Sequence, residues 1–286
     1  MSPPSAERTP RWPTITEPLL RERLAMDDER FTRFFLQEIL PSVSRRRFTR
    51  ELYERGIGYP WERPESSFVL RGAEVLPPTP PVDAAARHPL LAIGSNGSPQ
   101  TLARKLAHLA DTDRELLVLA GELHDFDIGV AAHPTAYGSM PANLFESPGT
   151  AVRAAILWVT DAQLTQLAWT ELTYRLGRLD GIRFVADDGT EVRSALAYVS
   201  RFGTFCPDGG PVALAAMPAR DRTAPALDQP SLLDAAARLA LGPEARGTDL
   251  VRRIFEDVAG FATTHGGAVR ARGRPLRSPA WTPWRP

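Results

Sequence analysis

The chain has 286 residues, 43% of them hydrophobic and 24% charged, and its 34 basic and 34 acidic side chains leave no formal net charge. That length suits one large domain or one ordinary domain with attachments, and the neutral balance supplies no long-range pull toward nucleic acid or an acidic membrane. The single cysteine, Cys206, excludes an internal disulfide and a multi-cysteine metal cluster, and no run reaches the roughly 18–20 apolar residues of a membrane span.

The first residues, MSPPSAERTPRW, put prolines and charges where a secretory leader needs an apolar centre, so a cytoplasmic location is expected. Residues 1–14 read as a disordered tail. From Glu17 to about Arg55 the pattern is helical: Phe31, Phe34, Phe35 and Ile39 recur at helical spacing in ERFTRFFLQEIL, and SRRRFTRELYERG forms a second helix closed by Gly56. That apolar stripe predicts docking on the rest of the protein or on a second subunit. The basic run Arg45–Arg47 reads as a solvated helix face or a phosphate contact. SFVLRGAEVL, residues 67–76, is strand-like, and a Pro-rich linker ends near residue 88, closing an N-terminal extension over 15–87.

Beyond the linker, strands are predicted at 88–94, 115–121, 125–132 and 151–159. GIRFVA and EVRSALAYVS flank a hairpin turn at Asp187-Asp188-Gly189. Helices are predicted at 99–110, 161–175, 232–241 and 249–262. Thr160 and Gln163 form a capping box, and Ser231 with Asp234 has the same spacing. Strands outnumber helices and several neighbours are hairpin-like, so the class is α+β. Residues 88–264 form the main domain, and the Arg/Pro-rich tail 265–286 reads as loose.

Two features carry chemistry. LLAIGSNGSPQTLARKL, residues 90–106, ends a strand in a Gly94–Gly97 turn before Ser98-Pro99 opens a helix. Such a turn is either a plain connection or a place where free N–H groups meet an anion or oxyanion. It lacks the Gly-Lys-Ser/Thr of a P-loop and the glycine spacing of a dinucleotide site. In DAQLTQLAWTELTY, Glu171 falls seven residues after Leu164, on the apolar stripe. An inward carboxylate is costly unless paired, so Glu171 is either a proton-transferring group or the partner of Arg175 or another arginine.

The turn followed about 75 residues later by L-x-x-L-x-x-x-E resembles the gamma-glutamylcyclotransferase-like family, also called AIG2-like. NLFESPGTAVRAAILWVTDAQLTQL (143–167) and GTEVRSALAYV (189–199) are similar to further family segments, and the resemblance spans about residues 88–262. It implies a small mixed β-barrel flanked by helices, and closure of a γ-glutamyl amide to 5-oxoproline with release of an amine. It also implies Glu171 as the acid/base, the 93–96 turn (Ile93, Gly94, Ser95, Asn96) and Tyr198 as substrate contacts, and neither metal nor cofactor. Two positions depart from the family pattern: Ile93 stands where the turn usually begins with tyrosine, and Arg178 where a tyrosine commonly follows the glutamate.

The expected partner is a small γ-glutamyl-type amide, with no nucleic acid or membrane, and a homodimer is compatible with the pattern. Two alternatives stay open. One is an amidase-like or accessory domain such as that of allophanate hydrolases. The other is a non-catalytic barrel that binds a metabolite or partner. Cys206 reads as packing or a nucleophile. His124, Asp125, Asp127 and His133 alternate on a strand and so do not easily share a metal. Ser139 lacks a G-x-S-x-G elbow, and its loop reads as closing over the barrel mouth.

Overall fold

The computed structural model describes residues 12–79, 86–110 and 113–285, so most of the predicted tail 1–14 and part of the Pro-rich linker lie outside the described residues. Three short helices come first: α1 (Pro18–Ala25), α2 (Asp28–Phe34) and α3 (Arg50–Ile57). A hairpin follows, β1 (Phe68–Arg71) and β2 (Glu74–Leu76), then β3 (His88–Ala92) and helix α4 (Pro99–Leu106). Next come the long strands β4 (Glu115–Val130) and β5 (Ala142–Val159), helix α5 (Asp161–Ala168), and strands β6 (Tyr174–Ala186) and β7 (Glu191–Ser200). Helices α6 (Gln229–Leu241), α7 (Gly247–Glu256), α8 (Val258–Thr264) and α9 (Gly266–Arg270) follow, ahead of a short C-terminal strand at Trp281–Pro283.

Five strands close on themselves. β5 pairs β3 antiparallel, β3 pairs β7 in parallel at Leu90 and Leu196, β7 pairs β6, β6 pairs β4, and β4 returns to β5, the last three antiparallel. Closure removes free edges from this mixed barrel, and β1 then extends it by pairing with the start of β4. The protein is therefore α+β, a mixed barrel flanked by helices.

Both faces of the barrel strands are buried. Leu91, Leu117, Leu119, Ile156 and Trp158 join one apolar cluster with residues of α6 and α7. Their neighbours Leu90, Leu116, Val118, Leu157 and Val159 join a second cluster with Leu102 of α4 and Leu164 and Leu167 of α5. Successive side chains of a strand point to opposite faces, so a strand covered on both sides reads as a continuous apolar run. That is why LLAI and ELLVLAG lack polar alternation.

Several element limits differ from the sequence expectations. Residues 67–76 form two strands, because Gly72 at φ 61° turns the chain back. The segments at 115–121 and 125–132 are one strand, β4, with a bulge at Asp125 (φ 65°) whose carboxylate accepts the Gly149 N–H at 2.9 Å. The capping box at Thr160 and Gln163 forms, but α6 is capped by Asp228 through the Ser231 N–H, and Asp234 instead accepts from Gly247. The helix predicted over 249–262 divides at Asp257, which ends α7 and caps α8 through the Gly260 N–H.

The N-terminal extension is docked. Phe31 is buried, stacked on Phe35 and against Phe202. The buried Arg201 guanidinium donates to the Met26, Arg23 and Leu24 carbonyls at the end of α1. A helix C-terminus leaves such carbonyls without partners, and a cation there completes them. Arg45–Arg47 are exposed on an extended segment and not on a helix. The C-terminal tail is not loose: Trp281–Pro283 pairs with β6, with the Trp281 ring over Gly177 where any Cβ would collide, and Trp284 is buried. No helix among the described residues is long and apolar enough to cross a membrane.

Candidate functional site

Where β3 ends, the chain makes a single tight turn over Ser95–Gly97, with Gly97 N–H donating to the Gly94 carbonyl and Ser98 N–H to that of Ser95, both at 3.0 Å. Gly94 has to be glycine: a Cβ there would meet the Tyr59 hydroxyl and the Ala142 methyl. Ser98 occupies the N-cap position of α4 and Pro99 its first turn, although the serine hydroxyl makes no capping bond. This arrangement holds Asn96 at one end of α4 and Lys105 in its last turn.

Glu171 does not ride on α5. That helix stops at Ala168, the Thr170 hydroxyl donates to the Leu167 carbonyl, and the chain turns through Glu171 into β6. Pairing of Tyr174–Asp180 with β7 outweighs the helical spacing that continues past Ala168. Nor is Arg175 its partner, since that guanidinium binds Asp28. Lys105 Nζ donates to Glu171 Oε1 at 2.7 Å and to Asn96 Oδ1 at 2.8 Å, and Asn96 Nδ2 donates to the same Oε1 at 3.2 Å. The three side chains thus form a closed ring, with Lys105 10% and Glu171 14% exposed. Ion pairing offsets the cost of taking either charge out of water. Both bonds fall on Oε1; among the described residues nothing donates to Oε2.

Four of the chain's five tyrosines gather around this carboxylate. The Tyr59 hydroxyl accepts the Ala142 N–H at 2.9 Å and also meets the Ser95 backbone amide. Tyr174 donates to the Ala142 carbonyl at 2.7 Å. Burial, and after it the Glu171 charge, pushes the Tyr137 phenol up to about 12. Burial, then that same charge, raises Tyr198 well above its usual value. These phenols stay neutral at ordinary pH and act as hydrogen-bonding groups. Tyr59, Ser95, Lys105, Tyr137, Glu171 and Tyr174 line a common cavity of about 390 Å³, which Arg104 and His108 also reach.

The structure therefore brings Ser95, Asn96 and Glu171 together. Ile93 is packed in the apolar core beside the turn, and Tyr198 is buried behind the cavity wall with its hydroxyl unpartnered. Arg178 faces away, bonded to Asp180 and stacked on Trp12. Sequence reasoning missed Lys105, Tyr59, Tyr137 and the wall position of Tyr174. Lys105 had one available signal, being the only lysine. Tyr59 had none, because its approach from the N-terminal extension is purely tertiary. The loop after β4 supplies Thr135, Tyr137 and Pro141 to the cavity wall.

The remaining candidates have structural roles. Cys206 is buried, with its Sγ 3.4 Å from the Thr204 carbonyl, and the Ser139 hydroxyl lies 3.1 Å from that of Thr135. Asp127 is bound by Arg222 through two bonds. Among the described residues no three His, Cys, Asp or Glu side chains come together as a metal site.

His133 is buried against Phe202, and burial, then the Arg270 charge, takes its pKa from 6.5 down to about 3. With the folded value below the unfolded one, the unfolded chain takes up the proton first. This contribution to stability is intact above about pH 6.5 and declines as the pH falls toward 3, by up to about 1.4 kcal/mol per unit. His133→Phe should flatten the acid limb of a stability–pH curve; an unchanged limb would contradict the assignment.

No protein-family model matches the sequence, and no curated protein does. Among solved structures, an uncharacterized protein from Homo sapiens is 18% identical over 40% of this chain and 67% of its own, with a TM-score of 0.30. A structure titled gamma-glutamyl cyclotransferase is 19% identical over 40% of this chain and 66% of its own, with a TM-score of 0.31. A solution structure from Arabidopsis thaliana is 21% identical over 40% and 62%, again with a TM-score of 0.31. The chain thus spans about two thirds of the length of these structures.

Proposed function

We propose that the protein is a cyclotransferase that closes a γ-glutamyl amide to 5-oxoproline and releases an amine. The observation that carries this reading is the half-anchored carboxylate: Glu171 Oε1 is held by Lys105 and Asn96 while Oε2 is left open in a small cavity. A general base needs this division, with one oxygen fixing the group and the other meeting the substrate.

The substrate's α-ammonium gives its proton to Glu171, and the freed amine attacks the γ-carbonyl. A carbon–nitrogen bond closes the five-membered lactam, and the resulting oxyanion is met by backbone N–H groups of the 94–96 turn. The attacking nitrogen sheds its remaining surplus proton to solvent, collapse breaks the original amide bond, and Glu171 returns its proton to the departing nitrogen, which leaves as the amine. Both reacting groups belong to one molecule, so positioning alone is worth on the order of 7–11 kcal/mol. Tyr59, Tyr137 and Tyr174 supply polar contacts to the substrate in place of the hydroxyls missing at positions 93 and 178, and Tyr198 becomes a further contact if its buried hydroxyl turns toward the site.

The test is isotopic. Turnover of γ-glutamyl amides in ¹⁸O-water should give unlabelled 5-oxoproline, and acetylating the substrate's α-amine should abolish reaction. A labelled free carboxylate, formed also from the acetylated substrate, would instead identify an amidase.

A further inference from the structure

We propose that a second cavity, walled by Arg63 and distinct from the one at Glu171, binds a small organic carboxylate with an apolar body. This inference is independent of the cyclotransferase reading.

The cavity is about 320 Å³, within the usual size of small-molecule sites, and Arg63, Trp61, Phe68, Val118, Gly97 and Met217 contribute to its wall. Arg63 is the unusual member. Its guanidinium makes no ion pair with any described residue: one terminal nitrogen lies 3.0 Å from Met217 Sδ, and the other reaches the Ala92 carbonyl only at 3.4 Å. Two other arginines have their charge met, Arg222 by the Asp127 carboxylate and Arg201 by three backbone carbonyls and, at 3.4 Å, Asp28. Arg63 is half-buried, and a cation partly withdrawn from water without an anion is costly, so its retention asks for a ligand that supplies one.

The charged groups around it leave that demand unmet. Arg153, also on the wall, is taken by Asp187 and by the Glu65 carbonyl, and its charge adds to that of Arg63. The Glu65 side chain is the acid on the wall; it is exposed and forms no ion pair with Arg63. Burial brings the Arg63 pKa down to about 10, which still leaves it charged at neutral pH. A planar guanidinium matches a carboxylate through two parallel hydrogen bonds. One unpaired cation balances one negative charge, and Trp61, Phe68, Val118 and Met217 suit an apolar body better than the shell of a dianion.

The glycine turn joins the two cavities. It gives Ser95 to one and Gly97 to the other, and a Cβ at Gly97 would run into Arg63 Nε.

Titration calorimetry on the full chain tests the site, with phenylacetate, phenylacetamide and inorganic phosphate as probes. Phenylacetate should bind wild type and Glu171→Gln with the same Kd, and Arg63→Gln at least about 10-fold more weakly, the usual worth of a charge-assisted hydrogen bond. Phenylacetamide, equal in shape but neutral, should bind wild type at least about 10-fold more weakly than the acid. That acid–amide comparison decides the matter even if Arg63→Gln fails to fold. Absence of phenylacetate binding, equal binding of acid and amide, tighter binding of phosphate, retention in a folded Arg63→Gln, or loss in Glu171→Gln would each overturn the proposal.

Discussion

Glu171→Gln is expected to remain folded and to lose at least about 10²-fold in turnover of a γ-glutamyl amide, the ordinary worth of a positioned general base. The substitution keeps the side-chain volume, and the Gln carbonyl can still accept from Lys105 Nζ and Asn96 Nδ2, the two groups that hold Oε1. What disappears is the capacity to take a proton on the free oxygen. The change also removes the negative charge facing Lys105, which is only 10% exposed, so a stability loss of roughly 1–3 kcal/mol should accompany it. Initial rates of 5-oxoproline release and urea denaturation separate the two effects. A folded Gln variant with wild-type turnover would remove Glu171 from the mechanism.

A larger effect on stability is expected at Arg222→Met, about 3–5 kcal/mol. Asp127 is wholly buried; its carboxylate accepts from Arg222 Nε at 2.7 Å and from a terminal guanidinium nitrogen at 2.8 Å, besides the Ile128 N–H. Arg222 in turn donates to the Met217 carbonyl, tying the segment after β7 to the C-terminal end of β4. Methionine fills most of the stem volume while leaving the buried carboxylate without its cation. Changing Asp127→Leu in the same chain should restore part of the loss, because an apolar pair carries no uncompensated charge. Equilibrium urea unfolding of the two variants measures both, and a loss below about 1 kcal/mol in Arg222→Met would contradict the pairing.

The Glu171 ring shows why part of the candidate site could be read from the chain and part could not. The turn at 94–97 was legible because glycine, serine and asparagine beside a Ser-Pro helix start state a local geometry. Glu171 was legible because an acid on an apolar stripe is conspicuous, although the helix meant to carry it stops at Ala168. Its cation was not legible. The local pattern offered Arg175 four residues on, but the fold sends that side chain to Asp28 and brings Lys105 across from α4. Tyr59 reaches the same site from a segment assigned only to an extension.

What the amino-acid sequence determined by itself were the properties set within a few residues: apolar runs of strand length, the Thr160 capping box, the Asp187–Gly189 hairpin, the α+β class and the glycine turn. What only the tertiary structure decided were the partners and the ends. The closure of the barrel through one parallel contact at Leu90, the merging of two predicted strands across the Asp125 bulge, and the seating of the C-terminal tail on β6 all belong here. So does the convergence of Asn96, Lys105, Glu171 and four tyrosines. The physical reason is range. Propensity, capping and turn chemistry act over one to four residues, whereas ion pairs, strand pairing and burial join groups as far apart in the chain as Lys105 and Glu171, and their energies exceed the local preferences they override.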